Sequence, residues 1–131
     1  MGVYVMLYGF VVEGLHDKDL LEQSFENVKA QHCRGTVLSG REKQGITKLL
    51  NECDRVFLLF DPDEQGDRFT KQVQEVFPLP SLRLDPDMCK HHLRNRVKIG
   101  VEHASIEYLH AFFFNWGIDL KLKPNVKYDK K

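Results

Sequence analysis

The feature that most constrains this chain is a pair of short apolar segments that carry almost no charge. Val3–Val12 is rich in Val and Tyr, and Arg55–Phe60 contains the run VFLLF. An uninterrupted apolar run of this length is typical of a strand that is buried on both faces. Strands of that kind occur in parallel sheets that are covered by helices on each side. The two segments therefore predict an α/β protein.

Helical stretches with one apolar face separate the predicted strands. They are predicted at Asp17–Val28, Lys43–Asn51, Gln65–Phe77 and Ser105–Asn115. Two shorter apolar segments, Thr36–Leu38 and Ser81–Leu84, are predicted to be further strands. Regular alternation of strand and helix indicates a central parallel sheet of about four strands with helices on both faces.

The length of the chain fits one globular domain, and its net charge does not by itself favour binding to a polyanion. The 131 residues include 19 Lys+Arg and 19 Asp+Glu, so the formal net charge is zero. Any polyanionic partner must then be held by a local basic patch or by a metal ion. We assign residues 1–115 to the domain and expect residues 116–131 to be a basic C-terminal tail that frays.

Cysteine usage and the N-terminus bear on the compartment. The three cysteines, Cys33, Cys53 and Cys89, are odd in number and show no Cys-x-x-Cys spacing, which favours a reducing, cytoplasmic setting. The apolar N-terminus lacks a basic start and a small-residue cleavage site, and it meets an acid at Glu13, so it is interpreted as a strand. No apolar run approaches the roughly 20 residues of a membrane helix.

Three acids follow the two buried strands. Glu13 comes after the first, and Asp61 and Asp63 come after VFLLF. In parallel α/β sheets, sites form where the carboxyl ends of the strands meet. If the two strands are neighbours, the carboxylates converge and repel one another unless a cation joins them; oxygen ligands alone favour Mg²⁺, with Mn²⁺ as an alternative. The other interpretation is ordinary loop and cap chemistry at Asp-Pro-Asp.

Two strings around these acids resemble a known family. VVEGLHD, with Glu-Gly-x-x-Asp, and FDPDEQGDRF, with Asp-x-Asp-x-x-Gly, are similar to the two motifs of Toprim domains. A third string, KIGVEHAS, resembles the closing motif of the Toprim ribonucleases that mature 5S ribosomal RNA. The resemblance implies a compact Rossmann-like fold and a metal site of Glu13, Asp61 and Asp63. It gives Gly14 and Gly66 the places of the structural glycines.

The chain also departs from the maturase pattern. Leu15 and His16 stand where the maturases usually have Lys and Asp, and Gln65 takes the place of a third Asp found in topoisomerases. The maturases carry a second, C-terminal domain, whereas little more than one helix and the basic tail follow the last motif here. These differences leave the substrate open.

Several further residues have both a functional and a structural interpretation. Asp17 is either an acid behind the metal site or a structural residue at a helix start, and the structural role is favoured. Glu102 and His103 are either a ligand and proton shuttle or a packing motif, and packing is favoured. A basic run could grip phosphates or form a solvated loop. Its members are Lys90, Arg94, Arg96 and Lys98.

Two other groups of residues are interpreted structurally. Cys89, His91 and His92 match no usual zinc spacing and are predicted to be loop residues. The aromatic residues Phe112–Phe114 and Trp116 are predicted to be core or dimer contacts and not a base-stacking surface.

The function expected from these features is Mg²⁺-dependent phosphodiester hydrolysis on nucleic acid, RNA in preference to DNA. Glu13 would be either a metal ligand or the general base, and Asp61 and Asp63 would hold the metal. The main alternative is a non-cutting Toprim module that binds nucleic acid in repair or recombination. A phosphoacceptor receiver domain fits less well, because such a domain has two acids after its first strand.

Overall fold

The computed structural model describes residues 5–34 and 37–126. Within these ranges the chain forms five strands and four α-helices. The strands are β1 Tyr8–Val12, β2 Val28–His32, β3 Arg55–Leu58, β4 Lys90–His92 and β5 Val97–Ile99. The helices are α1 Leu15–Ser24, α2 Gly40–Glu52, α3 Glu64–Val76 and α4 Ile106–Asn115. Two short 3-10 helices, Pro86–Met88 and Val101–His103, flank the β4–β5 hairpin.

The central sheet is parallel, with the strand order β2-β1-β3. β1 lies in the middle, where Val12 faces His32 of β2 and Val11 faces Leu58 of β3. The prediction that the two apolar strands are neighbours is therefore confirmed. Because all three strands run the same way, their carboxyl ends share one edge of the sheet.

Helices cover both faces of the sheet, as the apolar strands predicted. On one face, Phe10 and Phe57 pack with Leu21 of α1 and Phe113 of α4. On the other face, alternate residues of the same strands pack against Ile46 of α2 and Val73 of α3. Successive side chains of a strand point to opposite faces, so each strand must be apolar throughout to fill both cores.

The sequence interpretation was wrong about the second strand. That strand is Val28–His32, and the part of Thr36–Leu38 within the described residues is loop. α1 ends at Ser24, so Val28 belongs to the sheet and not to the helix face on which we placed it. β2 lies at the edge of the sheet, where a strand tolerates polar residues. The polar residues of VKAQH therefore did not indicate a strand.

The sheet also has fewer strands than the four expected. Ser81–Leu84 forms only an isolated parallel bridge, between Ser81 and Leu58, beside β3. The bridge rests on two bonds, from Leu58 N to Pro80 O and from Leu82 N to Leu58 O. Pro80 lacks an N–H group, which limits regular pairing of this segment. The antiparallel β4–β5 hairpin was not anticipated.

The C-terminal segment packs against the fold instead of fraying from residue 116. Ile118 and Leu120 are both 1% exposed. The Asn27 amide donates to Asp119 O at 3.0 Å and its oxygen accepts from Lys121 N at 2.8 Å. Alternating apolar residues in GIDLKL supply this packing; residues 127–131 of the expected tail lie outside the described part of the chain. No helix in residues 5–34 and 37–126 is long and apolar enough to cross a membrane.

Candidate functional site

Glu13 and Asp61 meet at the carboxyl edge of the sheet. Glu13 follows the last residue of β1, and Asp61 lies three residues beyond β3. The backbone N–H of Asp61 donates to Glu13 Oε1 at 3.1 Å, and Asp61 Oδ1 accepts from Val101 N at 3.1 Å. Each carboxylate thus has one oxygen held by the backbone of a neighbouring segment. Backbone bonds of this kind orient both groups toward a shared polar cavity.

Asp17 is buried beside this pair and joins two segments. It is the third residue of α1, and only 4% of its surface is exposed. Its Oδ2 accepts from Gly14 N at 3.1 Å at the helix start, and its Oδ1 accepts from Glu102 N at 2.8 Å. The structural role favoured from the sequence is present, together with a second one, because Asp17 ties α1 to the 3-10 helix Val101–His103.

Asp63 has a different local role from Asp61. It is the N-cap of α3, where its Oδ1 accepts from Gly66 N at 2.7 Å. The chain bends at Pro62 and Asp63, and Asp63 N donates to Asp61 O at 2.8 Å. Gly66 is required here because a Cβ atom would overlap Asp61 O and lie 3.0 Å from Glu13 Oε1. The glycine thus lets α3 start directly against the two acids.

The acids raise one another's proton affinity. Burial raises the pKa of Glu13 to about 7, and repulsion from Asp61 adds to the shift. Burial, followed by repulsion from Asp61, likewise raises the pKa of Asp17 to about 7. Burial also raises the pKa of Asp61. None of the salt bridges among the described residues includes any of these three acids. The cluster therefore holds negative charge that no side-chain cation neutralises within salt-bridge distance.

These acids line a cavity of about 360 Å³ that the hairpin closes on one side. Its lining consists of Glu13, Gly14, Asp17, Asp61, Lys98, Ile99, Gly100, Glu102 and His103. The expected ligand Asp63 lies outside this lining. Across residues 5–34 and 37–126, no three His, Cys, Asp or Glu side chains are arranged as a ready-made metal cluster. The donor chemistry nonetheless fits Mg²⁺, which binds through one or two carboxylates and keeps several waters.

His103 and the hairpin form the wall of the cavity opposite the sheet. The rings of His103 and His91 stack with centroids 4.9 Å apart, and His103 Nε2 lies 3.4 Å from Glu102 Oε1. Val101 and Ala104 are buried, so KIGVEHAS does pack the C-terminal segment onto the sheet. The same segment supplies the Val101 and Glu102 N–H groups to the acids.

The four residues of the basic run lie on the β4–β5 hairpin and at its tip. Lys98 lines the acidic cavity, whereas Lys90 pairs with exposed Asp87 at 2.6 Å. Arg94 and Arg96 lie exposed at the tip, where Leu93 N donates to Arg96 O at 2.8 Å. The strand register places Lys98 opposite His91. One basic residue of the four therefore borders the acids, and two are presented at the tip of the hairpin.

The cysteine–histidine group and the aromatic group differ in how far they are buried. Cys89 is buried, whereas His91 and His92 are exposed residues of strand β4, so the loop prediction is wrong for the two histidines. Among the aromatic residues, Phe113 is fully buried in the core, whereas Phe114 and Trp116 are 66% and 62% exposed. Phe113 is a core residue as predicted, whereas for the exposed Phe114 and Trp116 the dimer contact stays a prediction.

The residues that sequence reasoning missed act through their backbone. Val101 N–H donates to Asp61 Oδ1, and Glu102 N–H donates to Asp17 Oδ1. The string KIGVEHAS was singled out, but a side-chain motif does not tell which amides point at which acids. The apolar residues on either side of Gly100, Ile99 and Val101, were the available signal that this segment packs against the sheet.

Comparison with known proteins matches this arrangement to one family. A sequence model of the Toprim domain matches residues 9–99. Ribonuclease M5 of Bacillus subtilis (strain 168) is 31% identical over 86 residues, which cover 60% of this chain and 41% of the relative. A small TOPRIM domain protein from Bacillus stearothermophilus has a similar structure, with a TM-score of 0.65 at 24% identity over 90% of this chain and 92% of that one. The chain thus spans less than half the length of that ribonuclease.

Proposed function

Because the chain belongs to the Toprim domain family, we propose that it hydrolyses phosphodiester bonds of nucleic acid, most favourably RNA, with Mg²⁺ or Mn²⁺. The observation that carries the proposal is the hydrogen-bonded pair of Glu13 and Asp61 at adjacent strand ends, where no salt bridge among the described residues offsets the charge. A preference for RNA rests on the similarity to Ribonuclease M5.

The residues at the acidic cavity have separate roles in this hydrolysis. Asp61, with Glu13 or Asp63, holds the ion through carboxylate oxygens. A bound Mg²⁺ supplies Lewis acidity at a phosphate oxygen and neutralises its charge. Glu13 lies where it can also accept a proton from an attacking water, which suits a group whose pKa is about 7. Lys98, on the opposite wall of the cavity, offsets charge on the phosphate.

The β4–β5 hairpin contacts the nucleic acid outside the acidic cavity. Arg94 and Arg96 at the hairpin tip contact backbone phosphates beyond the cavity, and such contacts position a strand without reading its sequence. Lys90 contributes less, because Asp87 competes for its ammonium group. Glu102 and His103 serve by holding the hairpin against the cavity. The nucleic acid therefore lies between the hairpin and the sheet edge.

A time course of cleavage tests this proposal. Structured RNA, single-stranded RNA, and single- and double-stranded DNA are incubated with the protein in Mg²⁺, in Mn²⁺ and in excess chelator. We expect metal-dependent cleavage of structured RNA. An Asp61→Asn preparation, purified identically, controls for contaminating nuclease. Equal cleavage by both preparations, or cleavage in chelator, contradicts the proposal.

The alternative is a Toprim module that binds nucleic acid without cutting it. The use of Asp63 as the N-cap of α3 favours this second function, because one of its oxygens is already bonded to Gly66 N and the described acids form no ready-made metal cluster. It predicts nucleic-acid binding with no cleavage by the wild-type chain under any of these metal conditions.

A further inference from the structure

A second polar cleft borders the carboxyl end of β2, on the side of Glu13 away from Asp61. It has a volume of about 560 Å³ and lies where β2 leads into the N-terminus of α2. Its lining consists of Gln31, His32, Arg34, Val37, Ser39, Arg41 and Glu42. Nothing in the proposed cleavage reaction uses these residues.

Two arginines give the cleft its charge. Arg34 and Arg41 are exposed, and neither forms an ion pair with another described residue. The one acid in the lining, Glu42, accepts from Arg34 N at 2.6 Å and from Ser39 N at 3.0 Å. Glu42 thereby ties the backbone of Arg34 to that of Ser39 through its carboxylate, and the lining residues keep one net positive charge. Guanidinium groups at an open cleft suit bidentate binding of phosphate.

The backbone and one histidine add polar groups to the cleft. Ser39 caps α2 by accepting from Glu42 N at 3.1 Å, and no acceptor among the described residues binds the N–H groups of Gly40 and Arg41. Unpaired amides at the start of a 13-residue helix favour an anion. His32 also lines the cleft, and its Nδ1 is shielded from solvent without a hydrogen-bond partner in the described structure.

The sheet order aligns this cleft with the acidic cavity. His32 lies directly opposite Val12, the residue before Glu13, and Asp61 lies on the other side of β1. Neighbouring strands are about 4.8 Å apart, so the ends of β2 and β3, on either side of β1, are separated by about 10 Å. We propose that the Arg34/Arg41 cleft binds a phosphodiester one or two nucleotides from the one held at Glu13 and Asp61. This inference rests on the proposed function, because it needs nucleic acid at the acidic edge.

Binding of a labelled single-stranded RNA in excess chelator tests the cleft separately from cleavage. The variant R34A/R41A is compared with K43A/K48A, which removes two exposed charges from α2 outside the cleft. We expect R34A/R41A to weaken binding at least tenfold and to lower the slope of log affinity against log salt by about one. The control should change affinity less than threefold. R34K/R41K, which keeps the charge but loses the bidentate geometry, should lie between them.

The outcomes separate this inference from the proposed reaction. Loss of affinity in R34A/R41A supports the cleft even if the wild type never cuts RNA, because the measurement needs neither metal nor cleavage. Equal weakening in the two alanine variants, or no RNA binding by the wild type, overturns it. Inorganic phosphate is titrated in parallel while the amide resonances of Gly40 and Arg41 are followed. If phosphate shifts these resonances but R34A/R41A binds RNA normally, the cleft takes a free anion and the nucleic-acid assignment is wrong.

Discussion

The backbone N–H of Asp61 donates a hydrogen bond to Glu13 Oε1 at 3.1 Å. This bond joins the segments that follow β1 and β3, and no donor among the described residues binds the second oxygen of Glu13. The two acids are therefore held close together at a point where their charges repel. A carboxamide at position 13 can preserve the bond while removing the charge, which makes this position the best probe of the site.

Glu13→Gln should abolish metal-dependent cleavage and leave RNA affinity within about threefold of wild type, if basic residues supply the phosphate contacts. The amide neither accepts a proton nor balances metal charge, but its oxygen can still accept from Asp61 N. Cleavage rates and RNA affinity are measured on the same preparations, with the fold checked by circular dichroism. A variant that cuts at the wild-type rate would show that the assigned mechanism is wrong.

Asp61→Asn should weaken Mg²⁺ and Mn²⁺ binding at least tenfold in calorimetry, because a neutral amide is a poorer ligand for a hard cation. Glu75→Gln, on the exposed surface near the C-terminal end of α3, is the matched loss of one carboxylate and should bind like wild type. Equal affinity in wild type and Asp61→Asn would remove the metal-site hypothesis.

Without metal, stability should fall as the pH rises from about 5 to 8. Glu13 and Asp17 have ordinary pKa values of 4.5 and 3.8, and both rise to about 7 in the fold. The folded chain therefore binds more protons than the unfolded chain in this window, so the free energy of unfolding decreases with pH. We expect the Tm in chelator to fall by about 5 °C.

Glu13→Gln should flatten this pH profile, and saturating Mg²⁺ should raise the wild-type Tm most at pH 8, where the acids are ionised. Differential scanning calorimetry across the pH range measures both effects. Profiles of the same slope in wild type and Glu13→Gln would contradict the assignment of this titration to Glu13.

Asp17→Ala should lower the free energy of unfolding by about 2 kcal/mol, because it leaves two N–H groups at a buried position without their acceptor. Those groups belong to Gly14 and Glu102. Relief of repulsion with Asp61 offsets part of the loss at neutral pH. Urea unfolding at pH 7 gives the value; exposed Asp119→Ala, which loses only a surface pair with Lys121, should change it by about 0.5 kcal/mol or less.

Gly66→Ala should destabilise the protein by about 2 kcal/mol and weaken metal binding, since the new methyl group would overlap Asp61 O and press on Glu13 Oε1. Gly40→Ala is the matched control: it also lies in the first turn of a helix, but its Cβ would meet nothing within 4 Å. That control should be neutral or slightly stabilising. If both alanines have the same effect, helix propensity and not the close approach governs position 66.

Much of the fold followed from local patterns that need no partner to be recognised. β1 and β3 were evident because burial on both faces demands an unbroken apolar run. The start of α4 was evident because Ser105 is a common cap, and its Oγ does accept from Tyr108 N at 3.1 Å. β2 was misplaced because an edge strand tolerates polar residues, so its periodicity carried little information.

By itself the sequence determined the fold class, the family motifs and which acids follow the two central strands, because each depends on residue type at short spacing. Only the tertiary structure decided the rest. It used Asp63 as a helix cap, buried Asp17 between two segments 85 residues apart, and turned the basic run into a hairpin over the acids. Such outcomes depend on contacts between distant segments, and the energy of those contacts is absent from any local pattern.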